Sequence, residues 1–159
     1  MTSVSAPSRL EAWVTFLRTH AAVTRALNAD LLNGHGLTLN DYEVLLHLSR
    51  AEGGMMRRVD LAESVLLTAS GITRLLDGLE RAGYVEKRSC ATDARVSYAM
   101  LTRAGREKLA AAAATHLAGV EDRFTGRYSN AELETLAELL GRLPLTGREC
   151  AGPPDCGVS

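Results

Sequence analysis

The stretch LLDGLERAGYVEKRSCATDARVSYAMLTRAGREKL, Leu75 to Leu109, changes its hydrophobic period twice within a short length of chain. Ahead of Gly83, the apolar residues Ile72, Leu75, Leu76 and Leu79 recur at three and four positions, which places them on one face of a helix over about 69–81. Beyond it, YVEKRS and RVSYAML alternate as short strands do, and the turn-prone CATDA between them makes a hairpin with a long tip. Thr102 then offers a capping hydroxyl to a further helix. Helix, hairpin and helix in this close order restrict the chain to few architectures.

The flanking segments are helical. Leu10, Trp13, Leu17, His20, Thr24, Leu27 and Leu31 form one stripe between Ser8 and Asn33, closed by Gly34 and Gly36. Thr38 and Asp41 resemble a capping box ahead of Tyr42, Leu45, Leu46 and Leu48, so a second helix runs to about Ala51. RRVDLAESV is a short helix. From Arg103 to Arg127 the positions Leu109, Ala113, Leu117, Val120 and Phe124 keep a helical period, and at about 1.5 Å per residue this helix approaches 40 Å, too long to be buried in so small a domain. Ser129 and Glu132 form another capping box, and Leu133, Leu136, Leu140 and Leu143 repeat like a coiled-coil seam up to Pro144.

Composition agrees. Apolar residues make up 46% of the 159 and aromatic residues only 4%, a balance that favours a mainly α fold with one core. No run approaches the apolar length of a membrane span, and MTSVSAPSR lacks the basic and apolar regions of a signal peptide, so a cytoplasmic protein without a membrane partner is expected. The odd cysteine count, Cys90, Cys150 and Cys156, argues against a secreted disulfide framework and favours reduced thiols.

The segment order between 38 and 102 is that of a winged helix-turn-helix, in which one helix enters the DNA major groove and the hairpin reaches beside it. The helix at 69–81 buries its leucines and leaves Thr68, Ser70, Gly71, Thr73 and Arg74 near its outward N-terminal side. Small hydroxyls allow close backbone approach and can bond phosphates or base edges, and arginine can pair bidentately with guanine. The same Ser, Thr and Gly residues also suit a helix cap. The chain has a formal net charge of −1, whereas Arg57 to Arg103 holds eight basic residues against six acidic, a modest local bias toward phosphate.

The run VDLAESVLLTASGITRLLDGLERAGYVEKRSCATDARVSYAMLTRAGREKL resembles the DNA-binding lobe of the MarR (multiple antibiotic resistance regulator) family. The resemblance is carried by Leu61-Ala62, Ser70 to Arg74, Leu79-Glu80 with Gly83, Lys87-Arg88, Asp93 with Arg95, and Leu101-Thr102 with Gly105, and extends over about 10–143. It implies a winged helix-turn-helix with a two-stranded β-hairpin wing and a helical dimerisation lobe. The expected organisation is a flexible start at 1–7, a MarR-type domain at 8–143 and a mobile Gly/Pro-rich tail at 144–159. Within the domain, 8–36 and 103–143 would be dimerisation helices and 38–102 the DNA-binding lobe.

The resemblance further implies a homodimeric repressor on a near-palindromic double-stranded operator, with no cofactor and no enzymatic activity. Arg95 would enter the minor groove, Asp93 would hold it, and Lys87 and Arg88 would contact DNA beside it. Many relatives carry a second basic residue where this chain has Ala94, which shifts weight to Lys87 and Arg88. Family members commonly release DNA when a small aromatic or phenolic acid enters a cleft between the lobes, and Trp13, His20, Tyr42 and His47 lie on the helices that would flank one, although the same residues also suit an ordinary core or interface. The alternative is a thiol-based redox regulator using Cys90, Cys150 or Cys156, since a nearby arginine such as Arg88 favours a thiolate. A cysteine-dependent enzyme and a winged helix that binds only protein are further alternatives. No flanking motif supports a nucleophile with its base.

Overall fold

The computed structural model describes residues 9–65 and 67–143. The elements run α1 (Arg9–His35), α2 (Leu39–Arg50), β1 (Met55–Arg57), α3 (Arg58–Ser64), α4 (Ala69–Arg81), β2 (Val85–Ser89), β3 (Ser97–Leu101), α5 (Arg103–Arg123) and α6 (Asn130–Leu140). The fold is mainly α, as expected, around an antiparallel sheet of order β1-β3-β2. Strand β1 is an addition to the expected hairpin: Met56 pairs with Ala99 and Arg57 with Tyr98. Three residues are too few to show alternation.

Local signals account for the helix starts. Thr38 accepts from the Asp41 amide at 3.1 Å and its own amide donates to Asp41 Oδ2 at 2.8 Å, the reciprocal capping box. Ser129 and Glu132 do the same for α6, and these bonds hold the Glu132 carboxyl below its usual range. Thr102 accepts from the Gly105 amide and donates to the Gly83 carbonyl at 2.7 Å, so one hydroxyl starts α5 and pins it to the turn after α4. Gly83 adopts φ 79° there, the left-handed region where a side chain is strained.

Leu31, Leu45, Leu48, Leu61 and Leu76 are fully buried and join α1, α2, α3 and α4 in one core. The expected face of α4 is borne out: Ile72, Leu76 and Leu79 are buried and Leu75 is half-buried. In α5 the buried positions are Gly105, Leu109, Ala112 and Gly119, whereas Leu117 is 65% exposed. Small residues mark this contact because α1 lies close, and a Cβ on Gly119 would meet Leu27 Cδ2 at 2.8 Å. The Arg123–Asp30 ion pair at 2.7 Å and a His35–Thr115 hydrogen bond at 2.7 Å join the same two helices.

Helix α5 stops at Arg123, earlier than the periodicity predicts, because Phe124 leaves helical geometry at φ −134°, ψ −73°. Thr125 then donates to the Glu121 carboxylate, and Arg127 donates to the Asp122 carbonyl, one of the groups that the helix end frees. A short 3₁₀ turn, Thr125–Arg127, leads into α6.

His116 of α5 packs on Tyr42 in a tilted arrangement with ring centroids 4.5 Å apart, and its Nδ1 is buried with no hydrogen-bond partner among the described residues. Burial pushes its pKa below the ordinary value. The unfolded chain therefore binds the proton more readily, so stability is full above about pH 6.5 and declines as pH falls toward the depressed folded value. Melting temperatures measured from pH 7.5 to 5.5 should fall, and His116→Leu should flatten part of that slope. An equal slope in the variant would place the titration elsewhere.

Candidate nucleic-acid interface

Helix α4 begins at Thr68, whose hydroxyl accepts from the Gly71 amide at 3.1 Å and lies 3.2 Å from the Ser70 hydroxyl. Thr68 thus serves as the cap, while Ser70, Thr73 and Arg74 are exposed and Gly71 is half-buried. Thr73 donates to the Ala69 carbonyl at 2.8 Å and accepts from Arg58 Nη2 at 2.8 Å. That second bond joins the start of α3 to the exposed side of α4. Sequence reasoning missed Arg58, although the doubled Arg57-Arg58 beside a helix start was a visible signal. Arg57 itself is turned onto Asp60 by a two-pronged pair at 2.8 and 2.9 Å.

The hairpin pairs Lys87 with Ala99 and Arg88 with Tyr98, and beyond Ser89 the tip closes through Cys90 N to Val96 O at 3.1 Å and Val96 N to Asp93 O at 3.0 Å. Asp93 Oδ1 accepts from the backbone amide of Arg95 at 3.0 Å. Such a local side-chain-to-backbone bond shapes the turn. The Asp–Arg motif therefore works here through the main chain and leaves the Arg95 guanidinium exposed, with no ion pair among the described residues. Arg74 is likewise exposed and unpaired among them.

Two other basic side chains of the hairpin are engaged. Lys87 Nζ lies 2.6 Å from Asp77 and 3.0 Å from Glu80, and Arg88 lies 2.9 Å from Glu86. The hydrogen bond to Lys87 holds the Asp77 carboxyl below its usual range, and the bonds to Asp77 and Glu80 raise the Lys87 ammonium above its own. Arg58, Thr73 and Arg95 line one cleft of about 560 Å³, together with Val59, Leu67 and Ile72. Cationic groups from α3 and the wing tip thus converge on the N-terminal half of α4.

Cys90 is buried and disulfide-bonded, and it accepts a hydrogen bond from the Thr92 hydroxyl at 3.2 Å. The expectation of reduced thiols fails at this position, since an odd count of three still permits one pair. Cys150 and Cys156, with the tail that carries them, lie outside the described residues.

The residues considered for a ligand do not form one cluster. Tyr42 belongs to the core and packs on His116, and His47 is half-buried in the last turn of α2. Trp13 and His20 lie on the exposed half of α1, each with its ring 6.3 Å from that of Phe16. His20 lines an apolar cavity of about 400 Å³ between α1, α6 and the turn before α6, with Phe16, Val23, Phe124, Tyr128 and Leu136. Around it the apolar surface is extensive: Leu10, Trp13, Leu17, Leu117, Leu139 and Leu143 are exposed, and α6 has no buried residue. No helix among the described residues is long and apolar enough to cross a membrane.

Residues 35–96 match the family model described as MarR family. Among curated proteins the chain is similar to the HTH-type transcriptional repressor YetL of Bacillus subtilis (strain 168). The two are 30% identical over 110 residues, covering 69% of this chain and 65% of YetL, so the chain spans about two thirds of that relative's length. Among solved structures it is similar to AbsC, a MarR family transcriptional regulator from Streptomyces coelicolor, with 33% identity, TM-score 0.77 and coverage of 86% of this chain and 93% of that one. It is also similar to CouR from Rhodococcus jostii RHA1 bound to p-coumaroyl-CoA, with 26% identity, TM-score 0.71 and coverage of 86% and 92%.

Proposed function

This chain belongs to the MarR family of DNA-binding transcriptional regulators, and on that premise we propose that it is a homodimeric, cytoplasmic repressor whose affinity for a near-palindromic operator is set by a small ligand. The observation that carries the reading is the convergence of Arg58, Thr73 and Arg95 on one cleft beside the exposed Arg74. Helix α4 enters the major groove, where Ser70, Thr73 and Arg74 meet phosphates and base edges and the Thr68 cap and Gly71 keep the backbone close. Arg58 and Arg88 face phosphate, and Arg95, oriented by Asp93, enters the minor groove, where negative potential is concentrated. Two copies joined through α1, α5 and α6 present two such helices, which fits a two-fold operator.

An aromatic or phenolic acid is the ligand class we favour, because the apolar cavity beside His20 offers aromatic walls and a polar imidazole edge and CouR is a relative seen with p-coumaroyl-CoA. A thiol-responsive reading has one observation in its favour, the disulfide-bonded Cys90 at the root of the wing tip. One experiment addresses all of these. In anisotropy titrations against the DNA flanking its own coding region, binding should be sequence-dependent and weaken steeply with salt. Phenolic acids should release the DNA. Release by reductant alone would favour the thiol reading, and the absence of sequence-dependent binding would refute the regulator reading at this DNA.

A further inference from the structure

Helix α4 carries two carboxylates that a DNA-facing helix would ordinarily avoid. Asp77 follows Ser70 by seven residues, Thr73 by four and Arg74 by three, so it continues their outward face into the next turns. Glu80 lies one turn further on. Both are joined to Lys87 on β2, ten and seven residues later in the chain.

Strand β2 needs such a tie. Val85 is its buried residue, and Glu86, Lys87, Arg88 and Ser89 are all exposed, so past Val85 the strand is held by its ladder to β3 and by little packing on the body. With strand alternation, Lys87 shares the face of Val85, the face that turns toward α4, while Glu86 and Arg88 share the other. The Lys87 ammonium reaches Asp77 Oδ1 at 2.6 Å and Glu80 Oε2 at 3.0 Å. One cation thus bridges two successive turns of α4 from the middle of the first wing strand.

We propose that Lys87 is a positioning residue: with Asp77 and Glu80 it clasps the wing to the recognition helix, and so determines where Arg95 reaches, without itself contacting phosphate. The proposal rests on the reading that α4 and the wing meet DNA. Its chemistry differs from that expected of a basic residue in the wing. A phosphate ligand adds its own contribution to affinity, whereas a clasp acts through Arg95. The two carboxylates are then parts of the interface rather than defects in it, since their charge is matched within the protein before DNA arrives.

The test is a double-substitution cycle on the full-length protein, read by operator affinity and by hydroxyl-radical footprinting of the minor groove. Lys87→Met should weaken binding about tenfold and erase the minor-groove protection given by the wing, with the melting temperature unchanged, and Lys87→Arg should restore both. Arg95→Ala should cost more than tenfold in the native protein but less than about threefold in the Lys87→Met background, because a mispositioned arginine has little left to lose. Additive losses would identify Lys87 as an independent phosphate ligand and overturn the clasp. So would an unchanged affinity in Lys87→Met. If Arg95→Ala alone changes nothing, the wing reading falls together with the clasp, an outcome distinct from additivity.

Discussion

Arg95→Ala is expected to lower operator affinity by about one to two orders of magnitude, the loss that an arginine seated in a groove commonly carries. Three features set that size. Arg95 is exposed and has no ion pair among the described residues, so DNA binding need not first break an internal bond. Its backbone is fixed by the 3.0 Å bond to Asp93, which leaves less conformational freedom to lose in the proposed entry of the guanidinium into the minor groove. The neighbouring position is Ala94 rather than a second cation, so no adjacent charge stands in for it. The folded state loses nothing comparable, since the side chain makes no buried contact. Melting temperature should stay within a degree or two while binding collapses, and the loss should be largest on A·T-rich sites with a narrow minor groove. Equal losses across all sequences would mean that Arg95 meets only phosphate.

The scaffold of this interface is legible in the sequence because local rules govern it. The apolar spacing of Ile72, Leu76 and Leu79, the Thr68 cap and the glycine after α4 all concern residues a few positions apart, and the bounds of α4 agree with them. What escapes is set by distance across the fold. The engagement of Lys87 by Asp77 depends on β2 folding back beside α4, and the approach of Arg58 to Thr73 depends on how α3 packs. Neither appears as a periodicity. The Asp93–Arg95 pair shows a third kind of limit, because the motif names the residues and only the geometry shows that a main-chain amide is what the carboxylate grips. Exposure is the last: the stripe on α1 is continuous in sequence, yet Leu27 and Leu31 are buried while Leu10, Trp13 and Leu17 are not.

That discontinuity leads to the second large effect. Leu17 and Leu139 are 44% and 48% exposed in the single chain, so Leu17→Glu with Leu139→Glu should cost the isolated fold little. In a two-fold dimer built on α1 and α6 the same side chains are covered, and each substitution occurs twice. Burying an unpaired carboxylate costs several kcal/mol, so the native protein should show twice the chain mass by light scattering and the double variant a single mass, with helicity retained. Operator affinity should drop more than a hundredfold even though no DNA-facing residue has changed. Two recognition helices on one rigid body bind the second half-site as an intramolecular event, and separated lobes forfeit that effective concentration. A monomeric native protein, or a double variant that remains dimeric and binds normally, would show that the exposed leucines serve some other contact. Full binding by a proven monomer would instead mean that one winged lobe suffices for the operator.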